Sequence, residues 1–81
     1  MTMTMPSNTE KNFELSRRIR SMRRKKDITQ KELAMMLGVK QATISKWEEG
    51  ENEPNSSTII NLAKIFDCST DCLLGLSNYG I

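Results

Sequence analysis

The sequence predicts an all-α fold, five short helices packed as one compact domain. Three observations carry that expectation. Apolar residues recur at helical spacing in successive segments, residues that start and stop helices punctuate the chain between them, and no stretch alternates with the period of two that marks a strand. The 81 residues leave room for one domain with one modest core.

Residues 1–11 are polar, contain Pro6, Ser7 and Asn8, and are expected to form a disordered arm. The first helix is expected over residues 12–25, with Leu15, Ile19 and Met22 on one face and Arg17, Arg18, Arg20 and Arg24 on the others. Asp27 interrupts the basic run and Ile28 resumes apolar contact. The second helix opens on a capping box, Thr29 with Glu32 three residues later, carries Leu33, Ala34 and Leu37 as its stripe, and stops at Gly38. A third helix, residues 41–49, turns Ile44 and Trp47 inward and closes at Gly50. A polar loop follows, in which Pro54 cannot continue a helix. The fourth helix begins near Ser56 or Ser57 and bears the apolar set Ile59, Leu62, Ala63 and Phe66. Ser69 or Thr70 opens a short fifth helix, residues 71–74, which Gly75 ends, so the domain spans residues 12–75 and a tail spans 76–81.

Composition removes several function classes. The chain has no histidine, and so no histidine-based triad, general base or metal site. Cys68 and Cys72 stand four apart, on one face if the segment is helical, but cannot complete a zinc site alone. A disulfide within one helical turn fits the required geometry poorly, so free thiols in a reducing compartment are expected. There is no nucleophile–base pairing, and the core is too small for a substrate cavity; an enzyme, a cofactor and a metal are not expected. No apolar run reaches transmembrane length and the start carries no signal-peptide pattern, which predicts a soluble cytoplasmic protein without a membrane partner.

Charge is polarised along the chain. Residues 1–47 hold 11 of the 12 basic residues and four acids, a net of +7. Residues 48–81 hold one base against six acids, a net of −5. Such a chain can offer one positive face to a polyanion, although a basic run is also what an ordinary solvated helix face looks like.

The most informative unit is residues 30–49, QKELAMMLGVKQATISKWEE. Leu33, Leu37, Val39, Ile44 and Trp47 are apolar at fixed places, with Ala34 and Gly38 between them. Ala34 lets two helices cross closely, Gly38 makes a tight turn, and Val39 plugs the corner. Docking Ile44 and Trp47 inward leaves Gln41, Ala42, Ser45 and Lys46 facing out.

From Phe13 to Gly75, about three-quarters of the chain, the sequence resembles the phage Cro/repressor, or XRE-type, helix-turn-helix family. The segments ITQKELA, LGV, ISKWEEG, Pro54 and DCLLG match its pattern in order. The resemblance implies a five-helix, lambda-repressor-like domain whose third helix enters the major groove of double-stranded DNA. It makes Gln41, Ala42 and Lys46 the base readers, with Lys40 and Ser45 beside them. The chemistry agrees: glutamine can take adenine N6 and N7 together, alanine can meet a thymine methyl, and lysine can reach guanine O6 or N7. Gln30 matches the family glutamine that bonds a phosphate at a helix start, and Thr43, Asn52 and Asn55 are further backbone candidates. Arg23 and Glu48 match a paired arginine and glutamate that join the first helix to the end of the third. Lys40 departs from the pattern, which places Ser, Thr or Asn at that cap.

These readings predict a sequence-specific transcription regulator, a repressor acting as a homodimer on a palindromic operator. One recognition helix reads too few base pairs to select an operator from a genome, and two copies double the readout. The apolar carboxyl end, Leu73, Leu74, Leu76, Tyr79 and Ile81, is the expected dimer surface, unless it only covers the underside of the first and fourth helices. The alternatives are an antitoxin or a restriction–modification controller with autoregulatory DNA binding, or a five-helix domain that binds protein instead of DNA. A protein antirepressor or a toxin would be the further partner.

Overall fold

Leu15, Ile19 and Met22 fall on one side of the first helix, α1 (Asn8–Lys25), where Leu15 and Ile19 are buried and Met22 packs against them. The computed structural model describes residues 8–76, and these hold five helices and no strand. The helix begins at Asn8, four residues earlier than expected, so residues 8–11 are helical instead of part of an arm. Nucleation is the costly step, and a helix already fixed by Leu15 and Ile19 extends through polar residues at one hydrogen bond per residue. Beyond Lys25 the chain turns through Asp27 in the left-handed region, φ 60°, and the Ile28 amide donates back to the Arg23 carbonyl at 3.1 Å.

The second helix, α2 (Gln30–Leu37), starts with the complete capping box. The Glu32 amide donates to Thr29 Oγ1 at 3.0 Å, and the Thr29 amide donates to the Glu32 carboxylate at 2.8 Å. Gly38 ends it at φ 71°, a conformation open to glycine at no steric cost. Three residues later the third helix, α3 (Gln41–Glu49), begins. Leu33 and Ala34 of α2 and Ile44 and Trp47 of α3 are buried together, which fixes the two helices as a unit.

The fourth helix, α4 (Ser56–Phe66), begins at Ser56 as expected and is capped by Asn55, whose carboxamide oxygen accepts from the Thr58 amide at 2.9 Å. Leu62, Ala63 and Phe66 are buried, and Asp67 closes the helix with φ 56°. The fifth helix, α5 (Thr70–Leu74), is capped by Ser69, whose hydroxyl accepts from the Cys72 amide at 3.0 Å. Helix α1 packs on α3, α4 and α5, and α2 packs on α3 and α4, so every helix contributes to one core.

Two expectations are corrected at the carboxyl end. Leu73 is fully buried and belongs to the core, because α5 packs that side against α1 and α4. It cannot form an outer surface. Leu74 is 37% and Leu76 75% exposed, while Tyr79 and Ile81 lie outside the described residues. Cys68 and Cys72 do not share one helix: Cys68 precedes the α5 cap and Cys72 lies within α5. Both are free thiols, and the Cys68 thiol donates to Met22 Sδ, with the two sulfurs 3.6 Å apart. Burial, with Cys72 and Asp67 alongside, pushes the Cys68 thiol up, away from its reactive form.

Candidate nucleic-acid interface

The α2–turn–α3 unit sets which side chains face outward. With Ile44 and Trp47 docked on the core, Gln41, Ala42 and Lys46 are exposed and Thr43 and Ser45 are half-buried. Lys40 sits at the α3 cap in extended conformation and makes no side-chain cap bond. Its ammonium therefore has no structural duty in the helix start. Ser45 donates to the Glu49 carboxylate one turn later at 3.1 Å. Asn52 is exposed in the loop. Asn55 is exposed as well, but its oxygen is held by the α4 cap and by the Ser57 hydroxyl at 3.0 Å, which leaves its amide hydrogens to face outward.

Behind this face lies a polar network centred on Glu48, whose side chain is fully buried at the end of α3. Arg23 of α1 donates to both its oxygens, Nε to Oε2 at 2.6 Å and Nη2 to Oε1 at 3.2 Å. The same guanidinium donates to the Ile28 carbonyl at 2.8 Å, tying the α1–α2 turn to the pair. Arg20 approaches Oε1 at 3.4 Å. Burial by itself pushes the Glu48 carboxyl up, but the Arg23 and Gln30 hydrogen bonds, the Arg23 charge and the Arg20 contact outweigh it. The group lies below the ordinary glutamate value of 4.5 and stays ionised. The bidentate arginine satisfies a charge that would otherwise be costly to bury.

Gln30, the first residue of α2, extends the network to the outer face. Its Nε2 donates to Glu48 Oε1 at 3.1 Å, and its Oε1 accepts from Gln41 Nε2 at 3.4 Å. The carboxylate can only accept, so Gln30 must turn its amide nitrogen inward and its oxygen toward Gln41. Gln41 must then offer an N–H, which leaves its own oxygen and second N–H pointing away from the protein. The buried Glu48 carboxylate thus fixes, through Gln30, which way round the exposed Gln41 stands.

The structure joins Arg23 to Glu48 and Gln30 to Gln41, while Ala42, Lys46 and Asn52 stand apart with their exposed surfaces. Sequence reading missed three parts of the network. Arg20 carries no signal that separates it from Arg24, since both belong to one basic run. The Ile28 carbonyl is backbone, which no residue type announces. Gln30 was read as a phosphate ligand alone, and its second partner follows only from how α2 meets α3.

The fold and this network define a helix-turn-helix domain. Residues 19–71 match the helix-turn-helix family of the Cro/repressor type, and the chain belongs to that family. It is 43% identical over 60 residues to the C2 repressor protein of Salmonella phage P22, a match that covers 74% of this chain and 28% of the repressor. Similarity to the transcriptional regulator DicA of Escherichia coli K12 is 34% over 64 residues, covering 79% of this chain and 47% of DicA. The chain therefore spans under half the length of both relatives. Among solved structures it resembles the P22 c2 repressor crystallised with a synthetic operator, with a TM-score of 0.72 at 41% identity over 78% of this chain and 96% of that one.

Proposed function

We propose that the chain is a sequence-specific transcription regulator that binds double-stranded DNA, a repressor acting as a homodimer in the cytoplasm. The observation that carries the reading is the oriented Gln41 on the exposed face of α3, in a domain 41% identical to one crystallised on operator DNA. With its oxygen and one N–H outward, Gln41 can accept from adenine N6 and donate to N7. Ala42 offers a methyl contact beside it, and Lys46, a turn further along, offers a donor to a guanine edge. Lys40, Ser45, Thr43, Asn52 and Asn55 flank that face and complete the set from which backbone and base contacts are drawn.

Two copies are required for enough base pairs to be read, and a two-fold axis would set the two α3 helices about 34 Å apart along the groove. Leu74 and Leu76 are the described apolar residues of the carboxyl end that remain open to a second copy. Selection of bound duplexes from a random pool tests the reading. The expected result is a short palindrome with two chains bound per site, and failure to enrich any sequence overturns it.

A further inference from the structure

The reading surface itself is not positive. Glu48 is buried and paired with Arg23, so the charges that residues 30–53 expose are Lys31, Lys40 and Lys46 against Glu32, Glu49, Glu51 and Glu53. Affinity for a duplex rests chiefly on neutralising phosphates. On this chain the helix-turn-helix and its loop supply no net positive charge for that purpose. Residues 17–26 hold seven basic residues and no acid.

At about 100° per residue, Arg17, Arg20, Ser21, Arg24 and Lys25 fall in one sector of α1, turned away from Leu15 and Ile19. They line a single open groove of about 510 Å³. Arg20 marks the edge of this sector nearest α3, since it reaches Glu48 at 3.4 Å, and Glu48 leads through Gln30 to Gln41. Arg20 therefore ties the groove to the polar network that lies behind the base-reading face. Arg17 is 64% exposed, and its ion pair with Glu14 is long, at 3.8 Å, and screened by solvent.

We infer that the Arg17–Arg20–Arg24 groove of α1 is a second DNA-binding surface, one that holds phosphodiester groups of the backbone without reading sequence. The inference rests on the proposed function, and it assigns the electrostatic part of binding to α1 and the specific part to α3. The groove offers only positive side chains and one hydroxyl, which suits phosphate and gives no donor–acceptor pattern for a base edge.

The test compares the full chain with R17Q/R24Q and with the charge-retaining R17K/R24K, after thermal melts show all three folded. Arg20 is left in place because it also contacts Glu48. Binding to a selected duplex and to a scrambled one is titrated across salt concentration. Losing two phosphate contacts per chain, four on a site that holds two chains, should lower the slope of log K against log salt by about 3.6 and weaken both duplexes roughly tenfold or more near 0.1 M salt. The ratio between the duplexes should stay constant, and the lysine variant should restore the slope. An unchanged slope in R17Q/R24Q, with the wild type still preferring its selected duplex, overturns the α1 surface and leaves the base-reading proposal standing. A loss confined to the selected duplex overturns it too. A wild-type chain that binds neither duplex overturns both.

Discussion

Gln41 and Gln30 share a hydrogen bond of 3.4 Å, and through it the exposed face of α3 is coupled to the buried carboxylate of Glu48. The outward amide is therefore preset before any ligand arrives. Preorganisation of this kind lowers the ordering cost of the contact it is meant to make.

Gln41→Ala is expected to cost about 1–3 kcal/mol on the selected duplex and to relax preference at one base pair. Gln30→Ala should cost less and act at that same base pair, because Gln41 would lose its fixed orientation. Binding curves on single-base variants of the duplex check both. Equal losses on selected and scrambled DNA would remove Gln41 from the base readers.

Removing one member of the Arg23–Glu48 pair leaves the other charge without its partner in the interior. Arg23→Ala or Glu48→Ala should each destabilise the fold by about 3–5 kcal/mol, and the double change by less than the sum. Urea denaturation of the four chains measures the coupling. A value near zero would show that the charges act independently despite their 2.6 Å contact.

Acid should unfold the domain partly through Glu48. Its folded pKa lies below the ordinary 4.5, so its stabilisation is complete above that value and is lost as pH falls through the lower folded pKa. Thermal melts of the wild type should therefore fall below about pH 4.5, and Glu48→Gln should flatten that decline while lowering stability at neutral pH. A parallel pH profile in the variant would mean that other carboxylates carry the effect. Glu32, held below its usual value by Thr29, would be the next to examine.

Leu73 and Leu76 should part company on substitution. Leu73→Ala opens a cavity in the core and is expected to cost about 2–5 kcal/mol of stability. Leu76→Ser, at a position 75% exposed, should leave the melt within about 0.5 kcal/mol. If the carboxyl end forms the dimer, Leu76→Ser or deletion of residues 76–81 abolishes cooperative binding with the fold intact. Unchanged cooperativity after the deletion would place the dimer elsewhere.

Local signals in the sequence settled the helices and most of their ends. The Thr29–Glu32 capping box, Gly38, Gly50 and Gly75 act on the nearest few residues, and the apolar spacing of Leu33, Ile44, Leu62 and Phe66 follows from the helical period alone. The outward set on α3 was legible for the same reason, since burying Ile44 and Trp47 leaves only one face for Gln41, Ala42 and Lys46. Tertiary structure decided what depends on distance between elements. It put Leu73 inside, because α5 turns that side onto α1 and α4, whereas a surplus of apolar residues says only that something must be covered. It made Gln30 a bridge between Glu48 and Gln41, 18 and 11 residues away in sequence. Spacing along one helix fixes which residues share a face, but the partner across the gap is set by how two helices cross, and that crossing is a property of the packed core.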